Sequence, residues 1–277
     1  VISNADTTGS VTEITDGGIG EGTADLTDTG TMDFDDVDLT DVHGVTFVAQ
    51  AGGYLGAFTA VESTATTDST TSGVITWDFT VNDAAVDYLG VGESVVQKYD
   101  VTVTDSAGTT DTETVTITIN GTNDGPEISA ADTSGGVTEA IDLSADEVAN
   151  VLHEDTGTIT FDDVDLTDGH TVSVTSSTTD FLGSFTPVIT DVATGVGDGT
   201  VTWTYTVNDA VIDDLAEGQT VDQVYTVEIK DDAGETVTRD ITITITGTND
   251  IPVISNADTT GSVTEITDGG IGEGTAD

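Results

Sequence analysis

The chain has 277 residues, with 53 acidic side chains against 3 basic ones, a formal charge of −50, and no cysteine. Phosphate binding needs clustered Lys and Arg, so nucleic acid and anionic membrane surfaces are excluded as partners, and disulfides and thiolate metal sites are excluded by composition. An acidic chain of this kind could be disordered, but its Val, Ile and Thr alternate in strand patterns that hold both tryptophans, so it reads as folded.

The length leaves room for about two domains. The chain opens on Val1 to Asp25, with no signal peptide and no apolar run of membrane-spanning length. It begins and ends in mid-pattern and reads as a piece of something longer. Within this head, Val11-Thr12-Glu13 reads as a strand. The run Gly17-Gly18-Ile19-Gly20-Glu21-Gly22 superficially resembles the nonapeptide of calcium-binding β-rolls, but Gly22 stands where that motif needs Asp, and the resemblance is discarded.

Strands are predicted at 28–34, 43–49, 73–81, 96–104 and 112–120. The clearest places Ile75, Trp77, Phe79 and Val81 on one face of a half-buried antiparallel strand. After it, Asn82-Asp83 reads as the cap of a short helix from Ala84 to Leu89, in preference to a ligand pair. Leu89-x-x-Gly92 then leads to Tyr99-Asp100-Val101, a Tyr placed like the tyrosine corner of immunoglobulin-like sandwiches, where the hydroxyl ties a crossing loop to the core. Tyr54 and Phe181 lie in loop-like stretches and read as plugs of the sandwich.

The hexapeptide Gly121-Thr122-Asn123-Asp124-Gly125-Pro126 closes this first set and returns as Gly247-Thr248-Asn249-Asp250-Ile251-Pro252. The spacing, 247 − 121 = 126, is the period of a tandem array. Trp77 recurs as Trp203, Val81-Asn82-Asp83 as Val207-Asn208-Asp209, Tyr99 as Tyr225, and Val1 to Asp25 returns unchanged as Val253 to Asp277. The predicted organisation is unit one at 1–126, unit two at 127–252, and the head of a third unit at 253–277. Each unit should be an all-β sandwich of about seven strands. The head of the third either docks on unit two by strand addition or is merely extra sequence past the boundary.

The densest carboxylate cluster is Asp33-Phe34-Asp35-Asp36-Val37-Asp38-Leu39-Thr40-Asp41, with the copy Phe161-Asp162-Asp163-Val164-Asp165-Leu166-Thr167-Asp168. Asp36 and Asp38 share a face, as do Asp163 and Asp165. Carboxylates this close repel by about 1 kcal/mol per pair even in water, and a hard cation such as Ca²⁺, which takes six to eight oxygens, removes that cost. A solvated acidic turn is the alternative. The spacing is not that of an EF-hand, which needs Gly at its sixth position and Glu at its twelfth.

The Val-Thr-Glu strand, the Asp-Val-Asp turn, the Leu-x-x-Gly…Tyr-x-Val run and the Gly-Thr-Asn-Asp-x-Pro joint, in this order and at a fixed period, resemble the VCBS repeat. This is a bacterial cadherin-like extender module of giant RTX-type adhesins. The resemblance implies tandem immunoglobulin-like (cadherin-like) β-sandwiches arranged end to end, with Ca²⁺ at the junctions and neighbouring repeats of the same chain as partners. It also implies export without disulfides to a bacterial cell surface of Gram-negative type. Carried over residue by residue, the first junction would use Glu13, Asn123, Asp124, Asp163 and Asp165, with Asp36, Asp38, Asp41, Asp105 and Asp168 as the other ligands of such turns. The second would use Glu139, Asn249 and Asp250. Gly121 and Gly247 stand where cadherin linkers begin with Asp, which would leave the joint flexible or bind fewer ions.

Three functions remain in view. A calcium-stiffened spacer is favoured. A calcium-dependent adhesive module that itself binds a glycan, peptide or cell has few exposed aromatics to work with. An enzyme is disfavoured, because His43, His153 and His170 are the only imidazoles and no Ser or Cys nucleophile motif accompanies them. The paired carboxylates lie in a repeated turn, where a glycosidase would need a unique cleft. The acidity could also be a general adaptation to high salt.

Overall fold

The computed structural model describes residues 1–66, 71–176, 181–193, 198–252, 254, 256–265, 267 and 268. Unit one comprises β1 (Ile2–Ser3), β2 (Thr8–Thr12), β3 (Asp25–Asp35), β4 (Gly44–Ala49), β5 (Ala57–Thr64), β6 (Ser72–Asn82), β7 (Ser94–Thr104) and β8 (Thr110–Asn120). One sheet runs β1-β3-β6-β5 and the other β2-β8-β7-β4, with β2 parallel to β8. This is the strand order of an immunoglobulin-like sandwich whose first strand is split between the two sheets.

Unit two repeats the plan with β9 (Glu127–Ala131), β10 (Ser134–Thr138), β11 (Leu152–Asp162), β12 (His170–Ser176), β13 (Ser184–Asp191), β14 (Gly199–Asn208), β15 (Thr220–Asp231) and β16 (Thr236–Thr246). Its sheets run β13-β14-β11-β9 and β10-β16-β15-β12, again with the parallel pair β10 and β16. A four-residue helix, α1 (Ala145–Val148), has no counterpart in unit one. Ser144 caps it by accepting from the Glu147 amide.

Each unit has its own core. In β6 the alternation puts Ile75, Trp77, Phe79 and Val81 inside, and in β14 Val201, Trp203, Tyr205 and Val207. Burying a side chain of this size contributes about 1.5–3 kcal/mol. Gly30 and Gly157 pair directly with Trp77 and Trp203 across the sheet, and a Cβ on either would lie within 2.4 Å of the indole. The indole nitrogens donate to the carbonyls of Asp6 and Asp132, fixing the split first strand over the core.

Several local expectations change. The helix expected from Ala84 to Leu89 is one 3-10 turn, Asp83–Ala85, repeated as Asp209–Val211, and neither Asn82 nor Asn208 makes a side-chain cap. Asp83 is fully buried and instead accepts from the amides of Ile14 and Gly22, while Asp209 accepts from Ala140 and from His153. The carboxylate that seemed to cap a helix thus pins the loop after β2. Tyr99 and Tyr225 work by their rings, stacked on Phe58 at 4.1 Å and on Phe185 at 4.5 Å, and the Tyr225 hydroxyl is buried without a partner.

Tyr54 and Phe181 pack on the cores beside these rings. Strands β5 and β13 gave no clear signal: they are edge strands with weak alternation, and β13 contains Pro187, tolerated at an edge. Of residues 253–277, expected as the head of a third unit, the described residues 254, 256–265, 267 and 268 are exposed and add no strand to unit two.

Candidate metal centre at the joint

Three stretches of unit one converge on the first hexapeptide. Parallel pairing with β8 carries β2 toward it, and Glu13, just past β2, accepts from the Thr122 amide through Oε2 at 2.8 Å. Asp87 follows the 3-10 turn. Asp124 accepts from the Asp16 amide at 2.6 Å. Glu13, Asp87 and Asp124 each place an oxygen within 4.8 Å of the others.

From unit two come the turn after β11 and the end of β15. Asp163, Asp168 and Asp231 form a second group with the same spacing. Asp165 lies between the groups: its Oδ2 accepts from the Asp124 amide at 2.9 Å, and its own amide donates to Asp163 at 3.0 Å. Asn123 donates across the joint to Asp231 at 3.0 Å, and Thr167 to Glu93 at 3.1 Å.

These acids are short of donors. Glu13 Oε1, Asp87 Oδ1, Asn123 Oδ1, Asp124 Oδ2, Asp165 Oδ1 and Asp168 Oδ2 are all buried without a hydrogen-bond partner. Glu13, Asp124 and Asp165 are 4%, 3% and 0% exposed. Burial, aided by neighbouring carboxylates, pushes Glu13 up to about 8, Asp165 to about 7 and Asp124 to about 6. Burial also raises Asp87, Asp163 and Asp168. A desolvated carboxylate must be protonated, paired or bound to a cation, and among the described residues the carboxylate ion pairs are made by histidine, with none from Lys or Arg. The donor set is all oxygen, which suits a hard cation. So many carboxylates favour Ca²⁺, because Mg²⁺ is smaller and usually keeps several waters.

The chain contains its own control. The same turn at the leading end of unit one, against which neither described unit packs, leaves Asp38 exposed and groups only Asp36, Asp41 and Asp105, all partly exposed. There the shifts reverse: the Asp38 amide holds Asp36 down and the Thr109 amide holds Asp105 down. At the trailing end of unit two, Glu139 groups with Asp213 and Asp250, both exposed, and Asn249 donates only to the Asp250 carbonyl. Of the residues singled out in the sequence, Glu13, Asn123, Asp124, Asp163, Asp165 and Asp168 therefore meet at one place. Asp36, Asp41 and Asp105 form an open half at one end and Glu139, Asn249 and Asp250 another, while Asp38 joins neither.

Sequence reasoning missed Asp87, Asp213 and Asp231, although the period relates Asp231 to Asp105, which was named. The opening glycines of the hexapeptides have a packing role that the sequence does not show. A Cβ at Gly121 would fall 1.9 Å from the Leu89 carbonyl oxygen, and one at Gly247 2.3 Å from that of Leu215. Close packing therefore requires glycine at both positions.

The histidines form a further unrecognised pair. His170 donates through Nε2 to Asp163 at 2.8 Å, with both side chains 0% exposed, and its ring packs on Phe161. His43 does the same to Asp36 over Phe34. Such outer partners hold a ligating carboxylate in place and are commonly worth about 10- to 100-fold in metal affinity. His170→Phe keeps the ring packing and loses the donor. Calorimetric titration is expected to show about tenfold weaker Ca²⁺ binding, with the melting temperature in chelator little changed; unaltered affinity would remove His170 from the centre.

No family model matches the chain, and no curated protein does. Solved structures similar to it include titin domains Z1Z2 in complex with telethonin, at 12% identity and TM-score 0.32, covering 86% of this chain and 94% of that one. Human CDH23 EC21-23 is 13% identical, with TM-score 0.34 and coverages of 88% and 68%. CfaE, the adhesive subunit of CFA/I fimbria of enterotoxigenic Escherichia coli, is 10% identical, with TM-score 0.37 and coverages of 88% and 84%.

Proposed function

We propose that the chain is a calcium-stiffened spacer, part of the extender region of a large extracellular adhesin, holding a distal binding domain away from a bacterial surface. The observation that carries this reading is the set of buried, donor-less carboxylate oxygens contributed by both units to one joint. Without a cation those groups repel and lack solvation, so the two sandwiches are held together poorly. With Ca²⁺ at a hundredfold excess over Kd, the joint gains about 2.7 kcal/mol.

Repetition and acidity fit the same role. A −50 charge spread along a tandem array keeps it soluble and extended, and stability supplied by Ca²⁺ substitutes for disulfides that a cysteine-free chain cannot form. The arrangement also favours folding after export into a calcium-rich medium. Small-angle scattering tests the mechanical claim. The maximum dimension should increase and its distribution sharpen on adding Ca²⁺ to chelated protein, with Mg²⁺ or Na⁺ at equal ionic strength much less effective. Identical dimensions with Ca²⁺ and with chelator would rule the spacer mechanism out, and free substitution by Mg²⁺ or Na⁺ would return the acidity to salt adaptation.

A further inference from the structure

The two hexapeptides differ at the position that touches the next unit. Gly125 lies against Glu235 of unit two, and a Cβ there would fall 2.7 Å from Glu235 Oε2 and 3.2 Å from Glu235 Cβ. In the second hexapeptide that position is Ile251, whose side chain would have to push the exposed Glu235 side chain aside to occupy the same space. The counterpart of Glu235 in unit one is Thr109. Both close the same turn, Glu235 donating its amide to Asp231 and Thr109 its amide to Asp105, each at 2.8 Å. A unit of the first kind therefore offers a short side chain where unit two offers a long one.

The two trailing ends also carry their exposed apolar residues at different places: unit one presents Ile19 and Val91, 101% and 63% exposed, where unit two has Ala145 and Glu217. The trailing end of unit two presents Ile141, Leu143 and Ile251, which are 71%, 68% and 51% exposed, where unit one has Thr15, Gly17 and Gly125. Leu143 sits at φ 59°, matching Gly17 at φ 70°. A bulky residue in this left-handed region is strained, and strain of this kind tends to persist where function uses it. At the leading end both units carry the same valine, Val37 and Val164, and differ where unit one has the exposed Val42 and unit two has Gly169. Finally, residues 253–277, after the second hexapeptide, repeat residues 1–25 without change and differ from the head of unit two.

We propose that the trailing end of unit two receives the leading end of a first-kind unit and refuses that of a second-kind unit. The order of units then alternates, set by the pairs Gly125 with Glu235 and Ile251 with a residue like Thr109. This rests on the calcium joint proposed above. Ile251 meets a short side chain at one kind of joint, and glycine makes way for glutamate at the other.

The test transplants the second joint's residue into the first, in the full chain. Gly125→Ile is expected to weaken Ca²⁺ binding at the joint about tenfold, the scale of an overpacked contact. Adding Glu235→Thr should return the affinity to within about threefold of the unaltered chain, while Glu235→Thr alone changes it less than about twofold. Melting in chelator, followed by tryptophan fluorescence, should be unchanged in all three, because neither residue belongs to a core. Unaltered affinity in Gly125→Ile overturns the order-setting pair, and so does a Glu235→Thr chain that fails to rescue. Absence of Ca²⁺ binding in the unaltered chain instead overturns the joint itself.

Discussion

Asp165→Asn lowers the Ca²⁺ affinity of the joint by about a hundredfold or more, and leaves the stability of the chain in chelator equal or higher. The opposite signs come from one side chain. Asp165 is fully buried, one of its oxygens accepts the Asp124 amide, and the other has no partner. Its charge is costly unless a cation answers it. Asparagine keeps an oxygen for the Asp124 amide and removes the charge, so the cation-free joint loses a repulsion while the cation loses a ligand. Titration calorimetry and thermal unfolding in chelator check the two halves together. The equivalent change at the open end, Asp38→Asn, should alter neither quantity measurably, because Asp38 is exposed. A destabilised Asp165→Asn chain in chelator would show that the carboxylate is structural and not a site held ready for an ion.

The second large effect is a reversal of pH dependence by calcium. Glu13, Asp165 and Asp124 have folded-state values raised to about 8, 7 and 6, chiefly by burial. A carboxyl group raised in this way binds its proton more tightly in the folded protein than in the unfolded chain. Between the ordinary carboxylate range and the raised values the native state holds more protons, so stability falls as pH rises. In chelator the melting temperature should therefore decline from about pH 5 to pH 8. Calcium needs the ionised groups, so its affinity should rise over the same interval and its binding should release protons. At saturating Ca²⁺ the decline should flatten or invert. Parallel pH profiles with and without Ca²⁺ would mean that these carboxylates do not face the ion.

Much of this was legible in the chain itself. The 126-residue period, the alternating strand around Trp77 and Trp203, and the twice-repeated Asp-Val-Asp turn follow from residue order, because strand alternation and tandem repetition are local or periodic features. Other elements were not legible. Asn82-Asp83 has the spelling of a helix cap, yet Asp83 is drawn inside by the amides of Ile14 and Gly22, some sixty residues away in sequence. Gly121 has the spelling of a hinge, yet what demands it is the Leu89 carbonyl pressed against its α-carbon. Asp87 carries no motif and becomes a candidate ligand only where the loop after β6 is folded beside Glu13 and Asp124.

Residue order thus establishes a cysteine-free, strongly acidic array of all-β units and names most of the oxygens that could serve an ion. The choice among those oxygens belongs to the tertiary structure. Asp38 and Asp165 occupy the same place in the same turn, and one is exposed while the other is sealed at 0% exposure. The difference is made by the unit stacked in front of the second turn, which excludes water and brings Glu13, Asp87 and Asp124 up against it. Desolvation depends on what packs from outside, and no local stretch of sequence can specify that.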